Sequence, residues 1–501
     1  MTTVAAVDLG ATSGRVLAGT LANDTLHVEE VNRFPNGAIS TRNRRGADLQ
    51  WDVLALWQHV QDGLRAAGRS GPVEAVGIDT WGVDYGLLDP EGRLLANPAS
   101  YRSERTNGLP ERFFRHLPAA DLYAINGLQV QQFNTIFQLL ADRDAFLHHP
   151  AAASLADRLL LVPDLLGYWL TGREVAEITN ASTTGLLDVG TRRWSTTLLD
   201  LVRDRCGLDL AGLLPELVEP GTVLGTIEVP QLELCTSAGA PTPLVSVGSH
   251  DTASAVLATP AVDEHFAFIS CGTWSLVGVE LDAPVRTPES LAANFTNELG
   301  VDGTVRYLKN VMGLWVMTEC LNHWRYEGLP DLGWDQLLAE AAAAPALRSL
   351  VDMNDPRLLA PGDMPRRLAH LCREAGEPEP RTRGEFLRCI IDSLALAYRR
   401  AVEDACRLSG HEVRTVHMVG GGSQNALLCQ LTADATGLPV DAGPVEGTGI
   451  GNLMVQLRAI GAAPQDLPGL RRIIRASFPT TRYLPCSGPS WDAAEARVPR
   501  P

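Results

Sequence analysis

Apolar residues in this chain gather in short solid runs that stop at glycine and hydroxyl clusters, and two of these runs look like copies of one device. Val4 to Val7 leads into Asp8-Leu9-Gly10-Ala11-Thr12-Ser13-Gly14-Arg15 and then the apolar positions Val16 to Ala18. Phe266 to Ile269 leads into Ser270-Cys271-Gly272-Thr273-Trp274-Ser275 and then Leu276 to Val279. A short apolar run bounded by turn residues reads as a buried strand, so each stretch predicts a strand, a tight turn and a returning strand. Such a turn aims backbone N–H groups and hydroxyls at one spot with no bulky side chain in the way, which suits a phosphate chain. Either turn alone fits an ordinary β-hairpin equally well. The repetition predicts a duplicated domain that closes around a nucleotide.

Where the apolar period lengthens to three and four, helices are expected. Val53, Trp57, Val60 and Leu64 recur in this way after Asp52, and Leu387, Ile391, Leu394, Tyr398 and Val402 share one face of a long helix that Gly410 would stop. Val76 to Asp79 reads as a buried strand, and Val245 to Val256 as a strand, a turn and the start of a helix. Thr415 to Val419 reads as a strand that passes through Gly420-Gly421-Gly422-Ser423-Gln424-Asn425 into a helix ending at Thr436. Strand, glycines and helix is a common way to lay backbone against a nucleotide. Asn425 stands where the last glycine of G-x-G-x-x-G would fall, so a dinucleotide fold has little support and a plain loop stays open. Arg42 to Arg45 and Gly376 to Arg383 read as solvated surface loops. The turn-like Ala258 to Val262 marks a boundary, giving an N-terminal domain over 1–257, a C-terminal domain over 258–485 and a tail over 486–501.

Composition narrows the classes. With 501 residues, 45% of them apolar, the chain has material for two to four domains at about 150 residues each. A net charge of −17 with no offsetting basic run argues against nucleic-acid or acidic-membrane partners. An anionic ligand must then be held locally, by oriented amides, arginine or a metal ion. No basic segment precedes the first apolar run, Asp8 interrupts it, and no run reaches the roughly 18 apolar residues of a membrane span. Nine scattered cysteines without a C-x-x-C pair read as reduced thiols, which points to the cytoplasm. Lys309 is the only lysine and lies outside any G-x-x-x-x-G-K-[ST], which excludes a P-loop enzyme, since that class needs its lysine on the phosphates.

Phosphoryl transfer asks a protein to hold phosphates, neutralise charge and aim an acceptor hydroxyl beside one carboxylate. Asp251, at a strand-to-helix turn, is the candidate base; capping the helix Thr252 to Leu257 is the alternative, and the two roles can coexist. Asp8 ends the first strand beside the phosphate turn, where it would orient Mg²⁺ through water or simply form the turn. Arg15 is placed to neutralise phosphate or to form a salt bridge. Ile78-Asp79-Thr80-Trp81-Gly82-Val83-Asp84-Tyr85 brings an aromatic, a glycine and a carboxylate together, and Trp81 is either a face for a polyol or a core residue. His250 is either a hydrogen-bond partner for a sugar oxygen or structural.

The combination of Asp8 to Arg15, Ile78 to Asp84, Ser249 to Val256, Cys271 to Ser275, Leu308 to Trp315 and Gly420 to Asn425 resembles the FGGY carbohydrate kinases, in the expected order and over nearly the whole chain to about residue 460. The resemblance implies an α/β fold of two ribonuclease-H-like domains of the actin and hexokinase type, flanking a catalytic cleft. It implies Asp251 as the proton acceptor, with Gly82, His250, Asp251, Thr252 and Asn310, joined by Trp81, on the ketose. Ala11, Thr12, Ser13, Gly14, Arg15, Thr273, Thr318 and Gly420 to Gly422 would hold ATP. The implied reaction carries the γ-phosphoryl of MgATP to the O1 hydroxyl of L-rhamnulose. Three departures stand out: Thr318 where related enzymes can carry a longer amide, Gly447-Thr448-Gly449 in place of a less glycine-rich turn, and Cys271 where serine is also seen. A kinase for another ketose or polyol, such as fuculose or xylulose, an actin-like ATPase, and a sugar sensor without catalysis remain as other readings. Closure of the two domains around the ligands is expected, because it would exclude water.

Overall fold

The computed structural model describes residues 1–43, 46–147, 155–330, 332–488 and 490–498. The chain folds into two compact units. The first comprises 1–258, 280–307 and 447–477; the second comprises 259–279, 308–446 and 478–501. The path therefore passes between them several times, where a single cut after residue 257 was expected.

The first unit is built on a six-stranded sheet in the order 223–226, 243–245, 76–80, 2–9, 13–22, 25–35. Thr2–Leu9 pairs antiparallel with Ser13–Ala22, setting Asp8 opposite Arg15 and Leu9 opposite Gly14. On its other side it pairs parallel with Val76–Thr80, setting Asp8 beside Asp79. The first strand is sheltered on both edges and both faces, which is why it reads as an unbroken apolar run. Helix Val53–Arg69 begins where the Asp52 carboxylate accepts from Ala55 N–H, and it buries Val53, Val60 and Leu64 with Trp57 half-buried.

The second unit repeats the plan. Five consecutive strands of its sheet run in the order 274–281, 266–271, 415–419, 440–442, 481–483. Phe266–Cys271 pairs antiparallel with Trp274–Leu281 and parallel with Thr415–Val419. Val440–Ala442 adds a further parallel partner and Thr481–Tyr483 an antiparallel edge. In both sheets a central strand has a hairpin partner on one side, parallel strands on the other, and an antiparallel edge beyond them. This is the duplication the two hairpins predicted, realised as matching topology.

Helix Arg383–Ser409 opens with a capping box between Thr382 and Glu385 and ends at Gly410, whose φ of 73° is the left-handed conformation that favours glycine. Helix Ala426–Thr436 is capped by Asn425, whose side chain accepts from Leu428 N–H, so the residue in the place of the missing glycine starts the helix. Three readings of the sequence change. Arg42 lies in strand Ala38–Asn43, paired with 46–51, while Arg44 and Arg45 lie outside the described residues. Gly447-Thr448-Gly449 is the first turn of helix Gly447–Ala459, where small residues let the helix lie against the sheet: a Cβ on Gly449 would stand 2.2 Å from Leu17. The stretch after 486 carries helix Trp491–Glu495, which buries Trp491 and Ala494 against Leu347, Leu350, Leu396 and Ala435 of the second unit.

Candidate active site

In the first unit, the hairpin tip closes through Gly10 N–H on the Ser13 carbonyl at 2.9 Å. Asn36 clamps it from outside, its side chain donating to Gly10 O at 2.7 Å and its backbone N–H to Thr12 O. Thr12 is exposed, Ala11 and Ser13 half-buried, and Gly14 buried, where any side chain would enter the Phe34 ring. Arg15 turns back from the returning strand and donates to Asp8 Oδ2 from Nε at 2.9 Å and Nη2 at 2.8 Å. The salt bridge is therefore formed, and Asp8, 3% exposed, is oriented by it.

The parallel strand Val76–Thr80 extends into the second cluster. Thr80 N–H donates to Ser249 O, which lays Ser249 and His250 alongside the end of that strand and brings Gly82 next to His250. A Cβ on Gly82 would stand 3.4 Å from His250 Nε2. Asp251 opens helix Asp251–Leu257 with His250 as its N-cap, so the Asp251 carboxylate does not cap the helix. Instead Oδ1 accepts from Thr252 Oγ1 at 3.1 Å and lies 3.5 Å from His250 Nε2. Its side chain is 31% exposed, enough to meet a ligand, while Thr252 is buried beneath it. Burial raises the Asp251 pKa above its usual value; His250 opposes this and Asp8 adds to it.

Trp81 takes the core position of the two the sequence left open. It is 5% exposed, packs on Trp51 with ring centroids 4.2 Å apart, and donates its indole N–H to Asp84 at 3.0 Å. Asp84 also accepts from Trp51 Nε1, Tyr101 N–H and Gln138 Nε2. Between these anchors Val83 adopts φ 69° while Asp84 N–H bonds back to Gly82 O at 2.9 Å. A β-branched residue with positive φ in so tight a turn is strained, and such strain gathers at functional sites. The sequence carried no signal of it.

Several residues that shape this site were not found by reading the sequence. Glu177 is buried and gathers the loop: it accepts from Thr179 N–H and Oγ1, Asn180 N–H, and both the backbone N–H and hydroxyl of Ser249. Glu298 and Arg306 back His250 from the opposite side. Asn452 donates to Asp79 Oδ2 at 2.6 Å from far along the chain. Asp79 Oδ1 is buried without a hydrogen-bond partner, and burial together with the neighbouring Asp8 pushes the Asp79 pKa well up. Asp251 contributes in the same direction. Asp8 and Asp251 thus both act on Asp79 in the direction that favours its neutral form.

The second unit holds its own cluster around the second hairpin. Gly272 N–H bonds to Trp274 O at 2.8 Å, leaving Gly272 exposed and Thr273 half-buried. The chain after strand Val305–Met312 lies flush on this turn: Leu314 N–H donates to Gly272 O, Trp315 N–H to Thr273 O, and a Cβ on Gly313 would come within 2.5 Å of Trp274 backbone. Asn310 is half-buried near the end of that strand, and Thr318 is half-buried on helix Trp315–Tyr326. Gly420, with φ 84°, and Gly422 press on Cys271; Gly421 between them is exposed with open space over its Cα. The Cys271 thiol is buried near Tyr398 and Ser275, and burial raises its pKa, so it packs here and is not poised as a thiolate.

The first unit thus presents a hairpin tip and a partly exposed carboxylate beside a histidine, and the second, by itself, a hairpin tip and an exposed glycine before a capped helix. Two family models cover most of the chain: the N-terminal domain of the FGGY family of carbohydrate kinases over residues 3–258 and its C-terminal domain over 267–460. The chain belongs to the FGGY family of carbohydrate kinases. It is 44% identical to the rhamnulokinase of Bacteroides thetaiotaomicron, across 98% of this chain and 97% of that one. It is 42% identical to the rhamnulokinase of Enterococcus faecalis, across 96% and 94%. Among solved structures it matches a gluconate kinase from Lactobacillus acidophilus (TM-score 0.76, 18% identity, 99% of this chain and 96% of that one). It also matches Plasmodium falciparum glycerol kinase with ADP (TM-score 0.74, 14% identity, 97% and 94%). These likenesses give the fold, the actin-like and hexokinase-like α/β architecture of two domains. Among the described residues no helix is long and apolar enough to cross a membrane.

The residues present fit a magnesium–nucleotide. Asp8 and the orphaned oxygen of Asp79 are hard oxygen donors side by side on adjacent strands. Among the described residues no group of three or more His, Cys, Asp or Glu side chains is placed to hold a metal ion.

Proposed function

We propose that the protein transfers the γ-phosphoryl group of MgATP to the O1 hydroxyl of L-rhamnulose, giving L-rhamnulose 1-phosphate and ADP. The observation that carries this reading is identity of 42–44% to rhamnulokinases over nearly the full length of both chains.

In this reading Asp251 accepts the proton of the O1 hydroxyl as the bond to phosphorus forms. Its partial exposure and raised pKa suit a base that must meet a substrate yet hold a proton for a moment. Gly82, His250 and Thr252, with Asn310, contact the ketose, and Trp81 supports Gly82 from the core. Ala11 to Arg15, Thr273, Thr318 and Gly420 to Gly422 hold the nucleotide. Asp8 holds Mg²⁺ through water; the ion, when bound, neutralises charge on the phosphates. The working division is a sugar-binding, base-carrying domain over 1–257 and an adenosine-binding domain over 258–485, in the cytoplasm. The domains close on their ligands, so small-angle scattering should show compaction with ketose and a nucleotide analogue.

The deciding experiment is purified protein with a panel of L-rhamnulose, L-fuculose, D-xylulose and glycerol, MgATP, and ADP release as the readout. L-Rhamnulose should give the highest kcat/KM. Preference for another sugar overturns the substrate, and ATP hydrolysis indifferent to every sugar overturns the kinase.

A further inference from the structure

We infer that Arg306 and Glu298 form a buried positioning pair that fixes His250 as the tautomer carrying its proton on Nε2, so that His250 donates a hydrogen bond to a ketose oxygen beside Asp251. The identity of that acceptor rests on the proposed kinase reading; the tautomer does not.

The pair is unusual in its burial. Arg306 is 0% and Glu298 5% exposed, and nothing in the local sequence distinguishes this arginine from a surface one. A guanidinium only donates hydrogen bonds, and nearly every donor here is accounted for. Nε and Nη2 donate to Leu299 O at 3.1 and 3.0 Å, and Nη2 also reaches Thr179 O. Nη1 remains, and its N–H is aimed at His250 Nδ1 at 3.1 Å. That contact is favourable only if Nδ1 carries its lone pair.

Glu298 Oε2 lies 3.2 Å from the same Nδ1 and would favour the opposite tautomer if it accepted a proton from it. The alignment is wrong for this: Oε2 has no hydrogen-bond partner, although it stands 3.0 Å from Arg306 Nη1. It acts as the counter-charge. Burial pushes the Glu298 carboxyl up, but the charge of the Arg306 guanidinium beside it opposes this, and the group is held below its usual value. A charged arginine pointed at Nδ1 therefore decides the tautomer, and the carboxylate makes that arginine tolerable in the interior.

The other ring nitrogen then carries the hydrogen. Nε2 points toward Gly82, where the missing side chain leaves room, and lies 3.5 Å from Asp251 Oδ1. That distance is too long for a strong hydrogen bond and leaves the N–H available to a ligand oxygen. A donor at Nε2 and an acceptor at Asp251, side by side, match a substrate that offers a lone pair on one oxygen and a hydroxyl proton on the next. Neighbouring oxygens of a ketose do so.

The test reads the tautomer directly. The chain has 11 histidines, and ¹⁵N-histidine labelling of the whole protein gives ring-nitrogen signals that separate protonated from unprotonated nitrogens, with His250 assigned by its loss in His250→Gln. The expected result, without ligand, is an unprotonated Nδ1 and a protonated Nε2. A protonated Nδ1 overturns the inference. The double variant Arg306→Met/Glu298→Met removes both charges together, so neither is left buried alone; it should give mixed tautomers and a ketose KM raised roughly tenfold to a hundredfold, with the KM for MgATP within about twofold. If that variant does not fold, substitutions at His250 decide. Glutamine places an amide N–H near the Nε2 position and asparagine near Nδ1, so His250→Gln should keep at least about tenfold more kcat/KM than His250→Asn. The reverse order overturns the inference. Should the wild-type protein fail to phosphorylate L-rhamnulose, the functional reading falls while the ¹⁵N signals still settle the tautomer.

Discussion

Gly451 lies directly on the backbone of Ser254: a Cβ at 451 would stand 1.9 Å from the Ser254 carbonyl oxygen. This contact seats helix Gly447–Ala459 against helix Asp251–Leu257, the helix that Asp251 begins. The next residue, Asn452, holds Asp79. Gly451→Ala has no flexible side chain to displace, so the helices must separate. We expect a loss of about 1–3 kcal/mol in the denaturant unfolding of the variant. Because Asp251 and Asn452 move with the helices, kcat should fall as well.

Asp251→Asn tests the base. The amide keeps the size of the side chain and can still accept from Thr252, so the site should survive, and calorimetry should find ATP binding near wild type. Turnover should fall by about 10² to 10⁴. Burial raises the Asp251 pKa, so in the wild type the acid limb of kcat/KM should lie above the ordinary aspartate value of about 3.9. Activity is lost as the pH falls through that raised value, since the protonated carboxyl cannot take the hydroxyl's proton. A variant with near-normal turnover removes Asp251 from the role.

The central parts of both sheets were legible because their physics is local. Val4 to Val7 and Phe266 to Ile269 are sheltered on both faces, and the turns that follow them need glycine and hydroxyl residues. Helices 53–69 and 383–409 showed their apolar period, and the second also its stop at Gly410. Strand Thr25–Pro35 was missed because its outward residues are polar and His27, Glu29 and Glu30 break the pattern. The supports of the site were missed for another reason. Asn452 meets Asp79 across 373 positions, and Arg306 meets His250 across 56. No local pattern marks an arginine or asparagine as buried when its partner arrives from so far along the chain.

The Gly420 to Gly422 loop gives a separable test of nucleotide binding. A Cβ on Gly422 would stand 2.1 Å from Cys271 Sγ, so Gly422→Ala must push the loop away from the end of the hairpin strand. If this loop holds ATP, the KM for MgATP should rise by roughly tenfold while the ketose KM changes little. Cys271→Ala removes the clashing sulfur, and the double variant should recover part of the loss. Equal effects on both substrates would count against a nucleotide role for the loop.

Asp84 carries a prediction about stability and pH. Burial pushes its pKa up to about 6 even though Gln138, Trp51, Tyr101 and Trp81 all donate to it. An unfolded aspartate titrates near about 3.9, so between those values the folded chain binds more protons than the unfolded one. This group therefore stabilises the fold most at low pH, and the contribution is lost as the pH rises from about 4 through about 6, by at most about 1.4 kcal/mol per pH unit. Asp79, Asp164 and Glu177 are raised by burial too, so the wild-type slope is shared and the informative quantity is its difference from a variant. Asp84→Ala should flatten the slope in that window. It also leaves the indole N–H groups of Trp51 and Trp81 and the Tyr101 amide without their acceptor, at a cost of about 3 kcal/mol or more near neutral pH. Urea unfolding of the two proteins between pH 4 and 8, followed by tryptophan fluorescence, measures both effects. Parallel pH dependences would mean that Asp84 titrates alike in the folded and unfolded chains.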